Sequence, residues 1–115
     1  MPKLKDLVLE TFQEILYEAE CILQSDRSKN ITKVTDNLRG VCGITVVTVV
    51  KPARPIGSQT EETTLRVKFF NLGGGSISEQ LKRMATDAIK IDGISSFKPI
   101  RWKKVVSRIY RPTMN

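Results

Sequence analysis

Two stretches decide how this chain reads: Thr35-Asp-Asn-Leu-Arg-Gly-Val-Cys-Gly-Ile-Thr45 and, one residue shorter, Thr86-Asp-Ala-Ile-Lys-Ile-Asp-Gly-Ile-Ser95. Each ends a helical pattern, turns on glycine and enters a strand through Gly-Ile-Thr or Gly-Ile-Ser. Read generically, this is ordinary helix-to-strand punctuation. Read as an internal repeat, it predicts two helix–strand units related by pseudo-symmetry, as in the ferredoxin-like plait.

Working outward from the first unit, residues 29–39 read as a helix with Ile31, Val34 and Leu38 inward and Gly40 as its stop. Ile44–Lys51 is a strand with valine on both faces, the pattern of a central strand. Residues 52–62 hold Pro52, Pro55 and Gly57 and read as a long polar loop. Thr63–Phe70 alternates Leu65, Val67 and Phe69 with Thr64, Arg66 and Lys68, predicting the second strand of an antiparallel hairpin. Around the second unit, Ser76 and Glu79 form a capping-box pattern that opens a helix running to about residue 91. Its expected inner face is Leu81, Met84, Ala85, Ala88, Ile89 and Ile91. Ser95–Lys103 reads as a strand whose Pro99 requires an edge or a bulge. Val105–Tyr110 is a further short strand.

Upstream, Leu4, Leu7, Val8, Phe12, Ile15, Leu16, Ala19, Ile22 and Leu23 recur at three- and four-residue steps. That spacing predicts an amphipathic helix over 3–24 with a glutamate-rich outer face and Cys21 off the apolar stripe. The stripe is core or a seam for a partner helix. The resulting expectation is one α+β domain over 1–115: the helix 3–24, a plait core 29–104 and a basic C-terminal arm 105–115. The plait is incomplete, a mainly antiparallel sheet of three or four strands with helices on one face, because a helix stands where its first strand belongs. The open slot would be closed by the third strand, by Val105–Tyr110 folding back, or by a strand from another chain.

The pattern "V-T-D-N-L-R-G-V-C-G-I-T-V-V", followed by the proline-bearing loop, "T-T-L-R-V-K-F-F" and "I-D-G-I-S-S-F", resembles small uncharacterised α+β proteins of tailed bacteriophages, particularly of marine bacteria. The resemblance spans roughly residues 30–96. It implies a phage protein, a minor virion or assembly component located in the virion or the host cytoplasm. It implies no site residues.

Composition narrows the chemistry. The chain has 115 residues, no histidine and a net charge of +7. Without histidine there is no imidazole base, no Ser-His or Cys-His pair and no imidazole metal ligand. Cys21 and Cys42 lie far apart without a C-x-x-C, so two reduced thiols are expected in a cytosolic protein, with one disulfide left open. No signal-peptide pattern is present, and the longest apolar stretch, Ile44–Val50, is too short to span a bilayer. No catalytic residue, cofactor or metal is expected.

Charge is divided along the chain. Before residue 27 the acids Asp6, Glu10, Glu14, Glu18, Glu20 and Asp26 face only Lys3 and Lys5, whereas the segment from Phe97 onward carries no acid. Such a division steers head-to-tail association or polyanion binding. The expected contact residues are Lys98, Arg101, Trp102, Lys103, Lys104, Arg108, Tyr110 and Arg111. Alternation puts Ile100 and Trp102 on one face, which favours a core position for the indole. Gly74, Gly75 and Ser76, at a helix start, are the candidate anion site, although the lysine of a phosphate loop is missing. Asp36 and Asp87 occupy equivalent repeat positions and could act as paired acids if they meet; otherwise they are solvated helix residues. The first functional expectation is a non-enzymatic structural or interaction protein that binds neighbouring protein partners through the 3–24 helix and the basic C-terminal arm, in a homo- or hetero-oligomer and without a membrane. The alternatives are a module contacting nucleic-acid phosphates and a small-ligand-binding plait dimer.

Overall fold

The computed structural model describes the backbone of residues 10–73 and 75–111 and the side chains of 15–73 and 75–106. The elements are β1 (Glu10–Asp26), α1 (Ile31–Leu38), β2 (Ile44–Pro55), β3 (Thr60–Phe69), α2 (Ile77–Ala88) and β4 (Ile94–Arg111), with a short 3-10 turn at Val41–Gly43. The strands form one antiparallel sheet in the order β2-β3-β1-β4. Both helices pack on one face of it: Val34 and Leu38 of α1 and Leu81, Met84 and Ala88 of α2 join Ala19, Cys21, Leu23, Leu65, Val67 and Phe69 in one core.

The largest departure from the sequence reading is β1. From Glu10 onward the expected helix is a strand; the part before Glu10 lies outside the described residues. The position between β3 and β4 is therefore filled by this chain's own N-terminal segment, and among the described residues the expected open slot is absent. Glu, Leu and Ala favour a helix locally, but local propensity is a weak prior beside tertiary pairing. Here Tyr17-Glu-Ala-Glu-Cys21 alternates, and its odd members, with Leu23 and Ser25, face the helices. Cys21 is consequently buried, not at the surface. Leu16 and Ile22 interrupt the alternation and produce the helical spacing.

β2 is an edge strand, not a central one. Val46, Val49 and Val50 are exposed. β-branched residues fit any pleated surface and do not by themselves separate edge from centre. The edge position also explains why the strand continues through Pro52 to Pro55, since a backbone facing solvent needs no N–H. The expected long loop shrinks to Ile56–Gln59. The Ile56 N–H donates to Thr60 O at 3.0 Å, and Arg27 Nη1 donates to Gly57 O at 3.2 Å.

The two repeat units are structurally alike. Gly43 and Gly93 both adopt left-handed backbone, at φ 80° and 92°, and each precedes a buried isoleucine, Ile44 or Ile94. A Cβ on Gly43 would lie 2.9 Å from Phe70 O, and one on Gly93 2.8 Å from Lys29 Cγ, so glycine serves both conformation and close approach. Asp36–Arg39 and Asp87–Lys90 are matching i,i+3 ion pairs, at 3.8 and 3.3 Å. Asn30 and, as expected, Ser76 begin the helices, accepting the N–H groups of Thr32 and Glu79. Ile89, the residue that caps the C-terminus of α2, is exposed rather than inward. Buried Gln80 ties α2 to the sheet end, its Nε2 donating to Cys42 O at 2.8 Å and Phe70 O at 2.7 Å.

β4 is one continuous strand rather than two. Pro99 sits at its bulge on the sheet edge, as its chemistry requires. Cys21 opposes Pro99 and Glu20 opposes Arg101, leaving Ile100 as the extra residue.

Candidate functional site

The sheet face away from the helices carries the clearest polar organisation. Its residues come from three strands in register. Glu18 of β1 opposes Lys68 of β3 and Lys103 of β4; Glu20 opposes Arg66 and Arg101. Each glutamate thus stands between two cations on neighbouring strands. Glu18 forms an ion pair with Arg66, Oε1 to Nε 2.8 Å, diagonally across rows, and Glu20 forms one with Arg101, Oε2 to Nη2 2.6 Å. The carboxylate side chains are 13% and 15% exposed, while Arg66 and Arg101 are 47% and 77% exposed. What meets solvent is therefore mostly cationic. A shallow cavity of about 300 Å³ lies over these rows, lined by Glu18, Glu20, Arg66, Arg101, Trp102 and Lys103.

The acidic and basic segments lie side by side: β1 and β4 are neighbours, and their opposite charges meet within one sheet. Opposite-charge cross-strand pairs stabilise such a register modestly. The same alternation disperses the predicted basic contact set. Lys98, Arg101 and Lys103 oppose Ile22, Glu20 and Glu18 on the open face. Trp102 and Lys104 oppose Ala19 and Tyr17 on the helix side. Arg108, Tyr110 and Arg111 lie farther out, at the register positions of Gln13, Thr11 and Glu10.

Trp102 is not a core residue. It is 44% exposed and meets Tyr17 edge-on, with ring centroids 5.9 Å apart. It lines a second groove, about 310 Å³, between α2 and β4, together with Leu81, Ala85, Phe97, Pro99 and Ile100.

The other sequence candidates fall elsewhere. Gly74 lies outside the described residues. The Ser76 hydroxyl accepts the Glu79 N–H at 3.1 Å, and Glu79 supplies an acidic group to the first turn of α2. This helix start thus carries its own anion. Asp87 accepts the Cys42 thiol at 3.3 Å and pairs with Lys90. The Cys42 and Lys90 hydrogen bonds hold its carboxyl below the usual range. Burial, reinforced by Asp87, pushes the Cys42 thiol up, away from the reactive thiolate. Cys21 and Cys42 are both free thiols. Among the described residues no group of three or more cysteines and carboxylates is placed to hold a metal, and no helix is long and apolar enough to cross a membrane.

The sequence reading missed Glu18, Glu20, Arg66 and Lys68 as site residues. The signal was present in part: Arg66 and Lys68 alternate with buried Leu65, Val67 and Phe69, which already places them outward. The acids were hidden by the helical reading of β1. No family model and no curated protein matches the chain.

Proposed function

We propose that this chain is a non-enzymatic structural and interaction protein that joins neighbouring subunits through a two-stranded arm. One observation carries the reading. β3 pairs β1 only from Tyr17 inward, whereas β1 and β4 stay paired out to Glu10 and Arg111. Residues 10–16 and 105–111 thus continue as a ribbon without a third strand among the described residues. Ile15 and Val106, register partners in it, are 40% and 50% exposed. An isolated two-stranded ribbon is marginal in water, and its outer edges offer unpaired backbone groups. A neighbour that gripped it would satisfy both. The strand order β2-β3-β1-β4 with helices after β1 and β3 supports reading the architecture as a ferredoxin-like plait extended by this arm. On the sequence resemblance, the assembly is that of a tailed phage, with this chain a minor component in the virion or the host cytoplasm.

The test is light scattering behind a sizing column, with absorbance at nucleic-acid and protein wavelengths recorded together. The chain is expected to run as an oligomer or to co-elute with its partner. Ile15→Lys with Val106→Lys should release monomer while circular dichroism stays unchanged. A wild-type monomer without a partner, or an assembly indifferent to both substitutions, would refute the arm's role.

A second reading has its own support: the exposed cations of the Glu18 and Glu20 rows suit polyphosphate contact. Oligonucleotide binding should then weaken steeply with salt and on Lys103→Glu. Binding indifferent to both would refute it.

A further inference from the structure

We propose that the outer edge of β4, with the groove between β4 and α2, takes up an extended segment of a partner protein in which acidic and apolar residues alternate. The proposal is independent of the arm. Among the described residues β4 forms one edge of the sheet, so its outward N–H and C=O groups can pair with an added strand. The side chains of such a strand alternate between the two faces of the sheet.

On the helix side they would enter the α2–β4 groove. The bulge at Ile100 creates that groove: the extra residue turns Trp102 to the helix side and Arg101 to the open face, the reverse of uninterrupted alternation from Phe97. Leu81, Ala85, Pro99, Ile100 and Trp102 then give it a largely apolar lining, to which Ser78, Lys82, Lys98 and Arg101 add polar and cationic groups. On the open face the added side chains would lie beside Arg101 and Lys103. These two already have one acidic column beside them, Glu20 and Glu18 of β1. An incoming acidic column would repeat that arrangement on the other side, next to cations that remain exposed.

The described strands of a second copy of this chain do not supply such a strand. β1 and β3 are interior strands. The other edge, β2, reads Ile-Thr-Val-Val-Thr-Val-Val-Lys-Pro-Ala-Arg-Pro, with no acid and two bases. Pairing it with β4 would bring bases toward bases. Charge complementarity therefore selects a different, acidic protein.

Trp102 is the sole tryptophan of the chain and reports on the groove directly. The probe is a peptide of about six residues alternating valine and glutamate, with lysine replacing glutamate in the control. The acidic peptide should shift Trp102 emission to the blue, saturably. The lysine peptide should bind at least about tenfold more weakly, a difference of about 1.4 kcal/mol. Lys103→Glu with Lys98→Glu should weaken the acidic peptide similarly, with the unliganded emission and circular dichroism unchanged. Absence of a saturable shift, or equal affinity for both peptides, would overturn the proposal. So would an emission shift that follows protein concentration alone, which would mean self-pairing. An oligonucleotide that shifts Trp102 where the peptide does not would overturn it in favour of nucleic acid.

Discussion

Glu20 of β1 and Arg101 of β4 are adjacent across the sheet, with carboxylate and guanidinium 2.6 Å apart. The pair joins the N-terminal and C-terminal strands. It also explains how two segments that look electrostatically incompatible with a shared core, one acidic and one basic, come to lie side by side. Because Arg101 is largely exposed, water screens most of the Coulomb attraction. The pair's main role is to fix register, since a slip of one residue would turn Glu20 into the core and Cys21 out.

Glu20→Gln should therefore cost only about 0.5–1 kcal/mol in chemical denaturation, less in high salt. Glu20→Arg, which places like charge beside Arg66 and Arg101, should cost more, and Arg101→Glu in the same chain should recover part of the loss. A double-mutant cycle measures the coupling. Zero coupling at low salt would show that the pair contributes nothing to the register.

Thr63 in the middle of β3 is fully buried, and its hydroxyl has no hydrogen-bond partner among the described residues. Thr63→Val keeps the shape and removes the unsatisfied group, so the variant should be more stable by about 1 kcal/mol. Valine is also at least as good in a strand. The denaturation midpoint should rise with an unchanged slope. A fall of similar size would mean that the hydroxyl is satisfied in solution.

Cys21 is pushed up from 9.0 to about 12, first by burial and then by the Glu20 carboxylate. The sign follows from proton binding. Above 9.0 the unfolded chain loses the thiol proton while the folded chain keeps it, so stability falls with rising pH across the interval to about 12. Cys21→Ala should lower stability at neutral pH through the lost packing but flatten this alkaline decline. The check is the difference between the two denaturation-versus-pH curves, which cancels the titration of lysines and tyrosines. Parallel curves would show that the thiol ionises alike in both states. Thiol labelling should modify the half-buried Cys42 before Cys21.

How much could be read from residues alone depended on whether the deciding signal was local. Ser76, Pro99, the inward Leu65, Val67 and Phe69, and the paired glycine turns at Gly43 and Gly93 each carry their conformational reason within a few residues, and each expectation holds. β1 does not. Its Glu, Leu and Ala content favours a helix, and what overrides it lies far away in the chain: Arg66 on β3, Arg101 on β4, and two strands that need a partner between them. Trp102 was misplaced for a related reason. The alternation of Ile100 and Trp102 implied one buried face, but the bulge shifts the register at that point, and the groove beside α2 leaves the indole half open. The basic segment 97–115 reads as a surface, while the division of Lys98, Arg101, Lys103 and Lys104 between the two faces of the sheet required the register. The clustering of Glu18 and Glu20 with those cations followed only from pairing.

The acidic N-terminal segment is a strand paired with the basic C-terminal strand of the same chain, out into the arm. Ile15 and Val106 are register partners there, and directly opposed strand residues lie about 4.5–5.5 Å apart at Cα, within reach of a disulfide. The direct measurement is oxidation of an Ile15→Cys, Val106→Cys variant, in a Cys42→Ser background, followed by non-reducing electrophoresis and peptide mass mapping. The expected product is a disulfide between positions 15 and 106 within one chain, formed in the folded protein and suppressed in denaturant. No such bond, or one found only between chains, would contradict that pairing.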